Sequence, residues 1–368
     1  MAIAGDGRHR RPNDVALTAA GLYRRIMSDE VQAHVPYEQR AREIPFASAE
    51  YISFASRQSF LGVPARRLDE LAGDPGRVVV LGAPLDWGTT YRPGARFGPA
   101  AIREADYGAM DGYRPHLPTG IDPLGALGVV DIGDVYVAPG YIEESIERIA
   151  DTVEAVTAAG KVPIVLGGDH TVTFPNATGV ARVHGAGEIA LIHFDAHADT
   201  GNLQNGHLYG HGTPMRRLVE SGAVPGHRFV QIGLRGYWPE PDVVAWMQDQ
   251  RMRSYRMDEI VDRGLRAVVD EAVDYALDGG AKGVFVSVDI DVVDPGMAPG
   301  TGTPEPGGMT SRELLDTVRR LGRDLNVLGA DVVEVAPAYD HAEITAYLGN
   351  RVVLEILNGM AERQVLDS

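Results

Sequence analysis

Residues 188–200 read EIALIHFDAHADT, a short apolar run that stops abruptly in Asp195, His197 and Asp199. A continuous aliphatic segment of this length reads as a strand buried on both faces. Side chains two apart on an extended chain share a face, so the three polar groups can converge on one point. Packed together without a counter-charge they would repel one another and resist burial, and a cation is the simplest resolution.

The same pattern recurs on both sides of this stretch. RVVVLGAP (77–84), VPIVLGG (162–168), RFVQIGLR (228–235), GVFVSVDID (283–291) and VLGADVVEV (327–335) are further strand-like runs. A helix is predicted from about Ile142, with Ile142, Ile146, Ile149, Val153 and Val156 on one stripe and Gly160 as its stop. Helical segments at about 265–278, 311–321 and 341–360 are interleaved with the later strands. Apolar strands alternating with amphipathic helices indicate an α/β fold with a parallel sheet covered on both faces. Residues 1–75 read differently, polar at first and then helical near Leu17 to Val31, and are expected to be an extension; residues 76–368 form the main domain.

Polar residues fall at the strand ends. Asp169-His170 closes one strand, Asp195 and its neighbours another, Asp289 and Asp291 a third, and Glu334 a fourth. Ligands of open parallel sheets bind outside the carboxyl ends of the strands, so these segments point at one crevice.

Composition narrows the chemistry. The chain has 368 residues, 44% of them hydrophobic, and no cysteine, so thiolate catalysis and Cys-ligated zinc are excluded. A net charge of −17, from 34 basic and 51 acidic residues, argues against nucleic acid or an anionic membrane as partner. No apolar run approaches the ~20 residues of a membrane span and the N-terminus lacks a signal-peptide stretch, so a cytoplasmic protein is expected.

His170, Asp195, His197, Asp199, Asp289 and Asp291 make six candidate ligands, four of them carboxylates. That is too many for one structural zinc; mixed ligation with shared aspartates suits two divalent ions, Mn2+ first, with Ni2+ or Co2+ tolerated. An EF-hand beginning at Asp289 would need Glu where Gly300 stands, and one beginning at Asp195 would need Gly where Thr200 stands. The signatures GxxxxGK[ST], HExxH and GxSxG are absent. GTGTPEPGG (300–308) reads as a turn-rich wall of the crevice, and Asp294 before Pro295 as the residue that sets a turn. His193 shares parity with Asp195 but reads as a core histidine, and His184, His207, His227 and His341 as surface or supporting residues.

GGDHTVTFP (167–175), FDAHADT (194–200) and SVDIDVVDPGMAPGTGTPEPGG (287–308) closely resemble the metal-binding signatures of the ureohydrolases, the arginase and agmatinase family. GAPLDWGTTYRPGARFGPAAIR (82–103), GHGTP (210–214) and DVVEVAPAYDHAEIT (331–345) extend the resemblance over roughly residues 75–360. It implies a three-layer α/β/α fold around an eight-stranded, mainly parallel sheet, assembled as trimers or hexamers. It also implies that His170, Asp195, Asp199 and Asp289 hold one manganese and Asp195, His197, Asp289 and Asp291 the other. Metal-activated water would attack the guanidinium carbon, oriented by Asp199, while Glu334 binds the guanidinium through two parallel N–H bonds. His211 aligns with the histidine that delivers a proton to the leaving amine. Urea and an amine are the expected products.

The loop DTGNLQNGHLYGHGTPM is agmatinase-like in its spacing, so agmatine, which yields putrescine in polyamine metabolism, is the first candidate substrate. A guanidino acid such as guanidinobutyrate or guanidinopropionate is an alternative, and Arg92 or Arg235 at the rim would serve it. Tyr237-Trp238-Pro239 would narrow the pocket towards guanidine, with nickel as a plausible metal. Outside the family, a metal-dependent deacetylase would leave His170 and Asp291 surplus, and a non-enzymatic regulator of polyamine metabolism would bind metal without turnover.

Overall fold

A computed structural model describes residues 59–106 and 113–367; the helix expected near Leu17 to Val31 lies outside them. Eight strands form one sheet in the order β2-β1-β3-β8-β7-β4-β5-β6. They are β1 (Val78–Ala83), β2 (Val130–Asp134), β3 (Val162–Gly167), β4 (Ile189–Phe194), β5 (Phe229–Leu234), β6 (Arg253–Arg256), β7 (Gly283–Asp289) and β8 (Val327–Val333). Every pairing is parallel.

Strand alternation sorts the core into two layers. Ala190, Ile192 and Phe194 join the apolar cluster on one face, and Ile189 and Leu191 join the cluster on the other. Helices Ile142–Ala158 and Thr173–His184 pack together over one face through Ile149, Val153 and Val180; helices Ser311–Asp324 and Ile344–Asp367 cover the other through Leu314, Val318 and Leu357. The Ser311 helix starts where Thr310 accepts from the Glu313 backbone N–H at 3.2 Å and Glu313 accepts from the Thr310 N–H at 2.8 Å.

The two edge strands, β2 and β6, lack the apolar signature of the others. β2 reads VDIGD and β6 RSYR. β2 is held from behind by Arg103, whose guanidinium meets Asp131 at 2.8 Å and Asp134 at 2.6 Å.

From β3 the chain goes next to β4, leaving a gap that β8 and β7 fill later. The chain leaves β7 toward β8 and leaves its neighbour β4 toward β5, in opposite directions along the sheet, which opens a crevice at the strands' carboxyl ends.

Candidate metal and guanidino site

The four central strands deliver the candidate residues. His170 follows β3, Glu334 follows β8, Asp289 ends β7, and Asp195, His197 and Asp199 follow β4. The pleat is not what gathers them. β4 ends at Phe194, the segment beyond it is irregular, and Asp199 takes a left-handed φ of 53°. Asp291 sits in a 3-10 turn, Ile290–Val292, rather than on β7. Turning the chain after each strand lets neighbouring ligands face different points, which strict alternation would not allow.

His170 Nδ1 lies 3.0 Å from one oxygen each of Asp195, Asp199 and Asp289. A ring nitrogen makes at most one hydrogen bond to these oxygens, so three equal approaches are not hydrogen bonding. Ligands bonded to a cation at ~2.1 Å in octahedral geometry stand ~3.0 Å apart, which matches. A second group lies beside the first: His197 Nδ1 is 3.0 Å from Asp291 Oδ2 and 3.5 Å from Asp195 Oδ1. Asp195 thus offers one oxygen to each group. Asp289 turns Oδ2 to the first, while its Oδ1 accepts from the Asp291 N–H at 2.8 Å.

The electrostatics ask for cations. His170 Nδ1, Asp195 Oδ2 and Asp291 Oδ2 are buried without a hydrogen-bond partner. Burial, then the charges of Asp291 and Asp195, drive the Asp289 carboxyl well above its usual range. Burial also raises Asp291, against the pull of His197. Carboxylates crowded this closely stay ionised together only if a positive charge is placed among them. The six residues fit a pair of divalent ions.

Behind them stands a shell that sequence reasoning missed. Ser287 Oγ lies 3.1 Å from His170 Nε2 and 3.2 Å from Thr173 Oγ1, and Asp331 accepts from Thr173 and Asn176 at 2.9 Å each. Such partners fix the ring of a metal-binding histidine. Ser287 shares strand parity with Asp289, a signal that was available; Asp331 is hidden in an apolar run. His193, fully buried, places Nε2 2.9 Å from Asp195 Oδ2 with neither atom hydrogen-bonded, so its ring joins His170 and Asp195 in a group able to hold a cation, while its Nδ1 lies 3.3 Å from Gln231 Nε2.

His211 and Glu334 form the other half of the site. Glu334 takes a left-handed φ of 63°, a strained backbone for a side chain with a Cβ, as at Asp199. Its Oε1 accepts from the His170 backbone N–H at 2.9 Å and lies 2.9 Å from His211 Nδ1. The Thr90 backbone N–H donates to His211 Nε2 at 3.2 Å, with Thr90 Oγ1 at 2.8 Å. A backbone N–H only donates, so neutral His211 carries its proton on Nδ1 and donates it to Glu334. Burial alone lowers the His211 imidazole, but Glu334, with Asp169 and Asp199, raises it to about 9. Both lone pairs of Glu334 Oε1 are engaged; Oε2 is buried and unpartnered. Two parallel N–H bonds to a guanidinium are therefore not both open, and Oε2 is the available acceptor.

Asp199, His197, Asp289, His211 and Glu334 line a cavity of about 400 Å³ whose outer wall carries Trp238, Pro239 and Glu240. Neither arginine considered for the rim lines it. Arg235 gives its donors to backbone carbonyls, among them Asp291 at 2.7 Å and Glu305 at 2.6 Å. Arg92 stacks on Tyr91 and Tyr339. Asp294 sets its turn by accepting from the Gly296 and Gly307 N–H groups at 2.9 and 2.8 Å. No helix of the described residues is long and apolar enough to cross a membrane.

A family model for the arginase family matches residues 76–358. Mitochondrial agmatinase of Gallus gallus is 42% identical over 279 residues, 75% of this chain and 79% of that protein. Proclavaminate amidinohydrolase of Streptomyces clavuligerus is 40% identical over 280 residues, 76% of this chain and 87% of that protein. Its solved structure is similar with a TM-score of 0.76 at 37% identity, covering 84% of this chain and 99% of that one. The structure of Trypanosoma cruzi formiminoglutamase with Mn2+ is similar with a TM-score of 0.70 at 25% identity, covering 81% of this chain and 99% of that one. With a family match across the whole catalytic fold and curated relatives at this identity, the chain belongs to the arginase family and is a ureohydrolase acting on guanidino compounds.

Proposed function

We propose that this ureohydrolase hydrolyses agmatine to putrescine and urea. One observation carries the choice of substrate: the cavity has the unpartnered Glu334 Oε2 at its floor and the exposed carboxylate of Glu240 at its rim, and among the described residues no lysine or arginine lines it. A dication with a guanidinium at one end and an ammonium at the other suits that wall, and Trp238 adds an aromatic face for the ammonium. A carboxylate tail would meet Glu240 with no cation to offset it.

His170, Asp195, Asp199 and Asp289 would hold one Mn2+ and Asp195, His197, Asp289 and Asp291 a second, and such ions supply a water that deprotonates near neutral pH. Asp199 orients that nucleophile towards the guanidinium carbon. Glu334 accepts an N–H of the guanidinium and holds the carbon over the ligands. His211 delivers a proton to the departing amine, because the C–N bond breaks only if the nitrogen leaves neutral. The carbon keeps its other two nitrogens and the oxygen from water, and these make urea.

A second reading rests on Trp238. Its place on the outer wall would narrow the cavity, which favours guanidine itself and Ni2+. A cytoplasmic location and trimeric or hexameric assembly complete the proposal, and light scattering tests the latter. The deciding experiment is urea release from agmatine, 4-guanidinobutyrate, 3-guanidinopropionate, arginine and guanidine by protein loaded separately with Mn2+ and Ni2+. Agmatine turnover above the others is expected; preference for a guanidino acid or for guanidine would overturn the assignment of agmatine.

A further inference from the structure

His211 is flanked by Gly210 and Gly212, and both glycines make room for one side chain. A Cβ on Gly210 would meet the Gln204 carboxamide at 2.7 Å, and one on Gly212 would meet its oxygen at 2.9 Å. Gln204 Oε1 accepts from the Gly212 N–H at 2.7 Å, and Gln204 Nε2 donates to the Gly88 carbonyl at 2.6 Å. That carbonyl also accepts from the His211 N–H at 3.1 Å. The Gly88 N–H donates to buried Asp169 at 2.8 Å, beside the ligand His170.

Gly88 tolerates no side chain in this position: a Cβ would meet Thr171 Oγ1 at 2.3 Å and the His211 nitrogen at 2.8 Å. Two residues further on, Thr90 meets His211 Nε2. The carboxamide of Gln204 therefore ties the backbone beside His211 to the loop that faces its imidazole. A carboxamide donates and accepts from adjacent atoms; a carboxylate has no donor and a methyl group has neither.

We infer that Gln204 is a positioning residue for His211, holding the backbone on either side of the imidazole against the Gly88–Thr90 loop that faces it. The inference rests on the proton-donor role proposed for His211. Gln204 also lines the cavity, so the rival role is a direct contact with substrate. The two separate kinetically. A substrate contact is felt in KM and persists without His211; a positioning residue acts on kcat and has nothing to act on once the imidazole is gone.

The test is a double-mutant cycle read by urea release from agmatine, using Mn2+-loaded protein with metal content and thermal melting measured for each variant. Gln204→Ala is expected to lower kcat on the order of ten- to a hundredfold, because misplacing a catalytic group by about 1 Å can cost a hundredfold. KM should stay within about twofold, and in the His211→Ala background the same change should cost under about twofold. Gln204→Met keeps the side-chain length, adds no charge and removes both the donor and the acceptor, so it should show the same pattern and decides the matter if the alanine variant melts early. Equal losses in both backgrounds, or a change in KM alone, would overturn the inference. Wild-type turnover in His211→Ala would instead overturn the role of His211, and the inference with it.

Discussion

His211 Nδ1 and Glu334 Oε1 stand 2.9 Å apart, joining the loop after β4 to the end of β8, and the same Glu334 oxygen accepts the His170 backbone N–H. One carboxylate thereby orients the proposed acid and touches the metal-binding loop, while leaving its second oxygen for substrate. Replacing Glu334 by Gln keeps the shape and removes the charge. A loss of kcat/KM of roughly 10²-fold or more is expected, with metal content unchanged. Near-wild-type urea release would remove Glu334 from the guanidinium site.

Stripping the metal leaves the buried carboxylates of Asp195, Asp289 and Asp291 without a counter-charge. Chelated protein should lose urea release and melt several degrees lower, recovering as Mn2+ is added. A site filled at a hundredfold excess over its dissociation constant stabilises the fold by about 2.7 kcal/mol. A melting temperature indifferent to Mn2+ across that titration would count against these six residues as the site.

Ser287 is not among the six proposed ligands, yet it lies 3.1 Å from His170 Nε2. Ser287→Ala should weaken Mn2+ binding about tenfold, the usual consequence of freeing a ligand's ring. Competition with a chromophoric chelator measures this directly, and unaltered affinity would show that His170 is held by packing alone.

Reversing the charge at the rim tests the substrate. Glu240→Lys should raise KM for agmatine about tenfold and lower it for 4-guanidinobutyrate, because a charge at the mouth discriminates tails by sign. Parallel changes for the two compounds would mean that the tail lies elsewhere.

In metal-free protein, burial lowers the His211 imidazole, but Glu334, Asp169 and Asp199 together lift it to about 9, against about 6.5 in an unfolded chain. The raised value means that protonated His211 stabilises the fold fully below about pH 6.5, and that this stabilisation fades as pH rises through about 9. It amounts to on the order of 3 kcal/mol at most. Urea unfolding of wild type and His211→Gln should therefore differ more at pH 6 than at pH 10. An equal difference at both would place the imidazole outside the field of Glu334.

The chain by itself determined the parallel sheet and offered the candidate donors that the proposal uses. A strand covered on both faces must be apolar throughout, so the interior runs are legible without any partner, and metal chemistry restricts ligands to a few residue types that stand out at their ends. The edge strands β2 and β6 were not legible, because the polar residues of VDIGD and RSYR break the apolar pattern. Nor was the turning of the chain at Asp199 and Asp291, where spacing suggested a pleat. The pairing of His211 with Glu334 and Thr90, the carboxamide of Gln204 between Gly88 and Gly212, and the support of His170 by Ser287 belong to the tertiary structure alone. These are contacts between segments far apart in the chain, and hydrogen bonds depend on a separation of about 3 Å that no periodicity encodes.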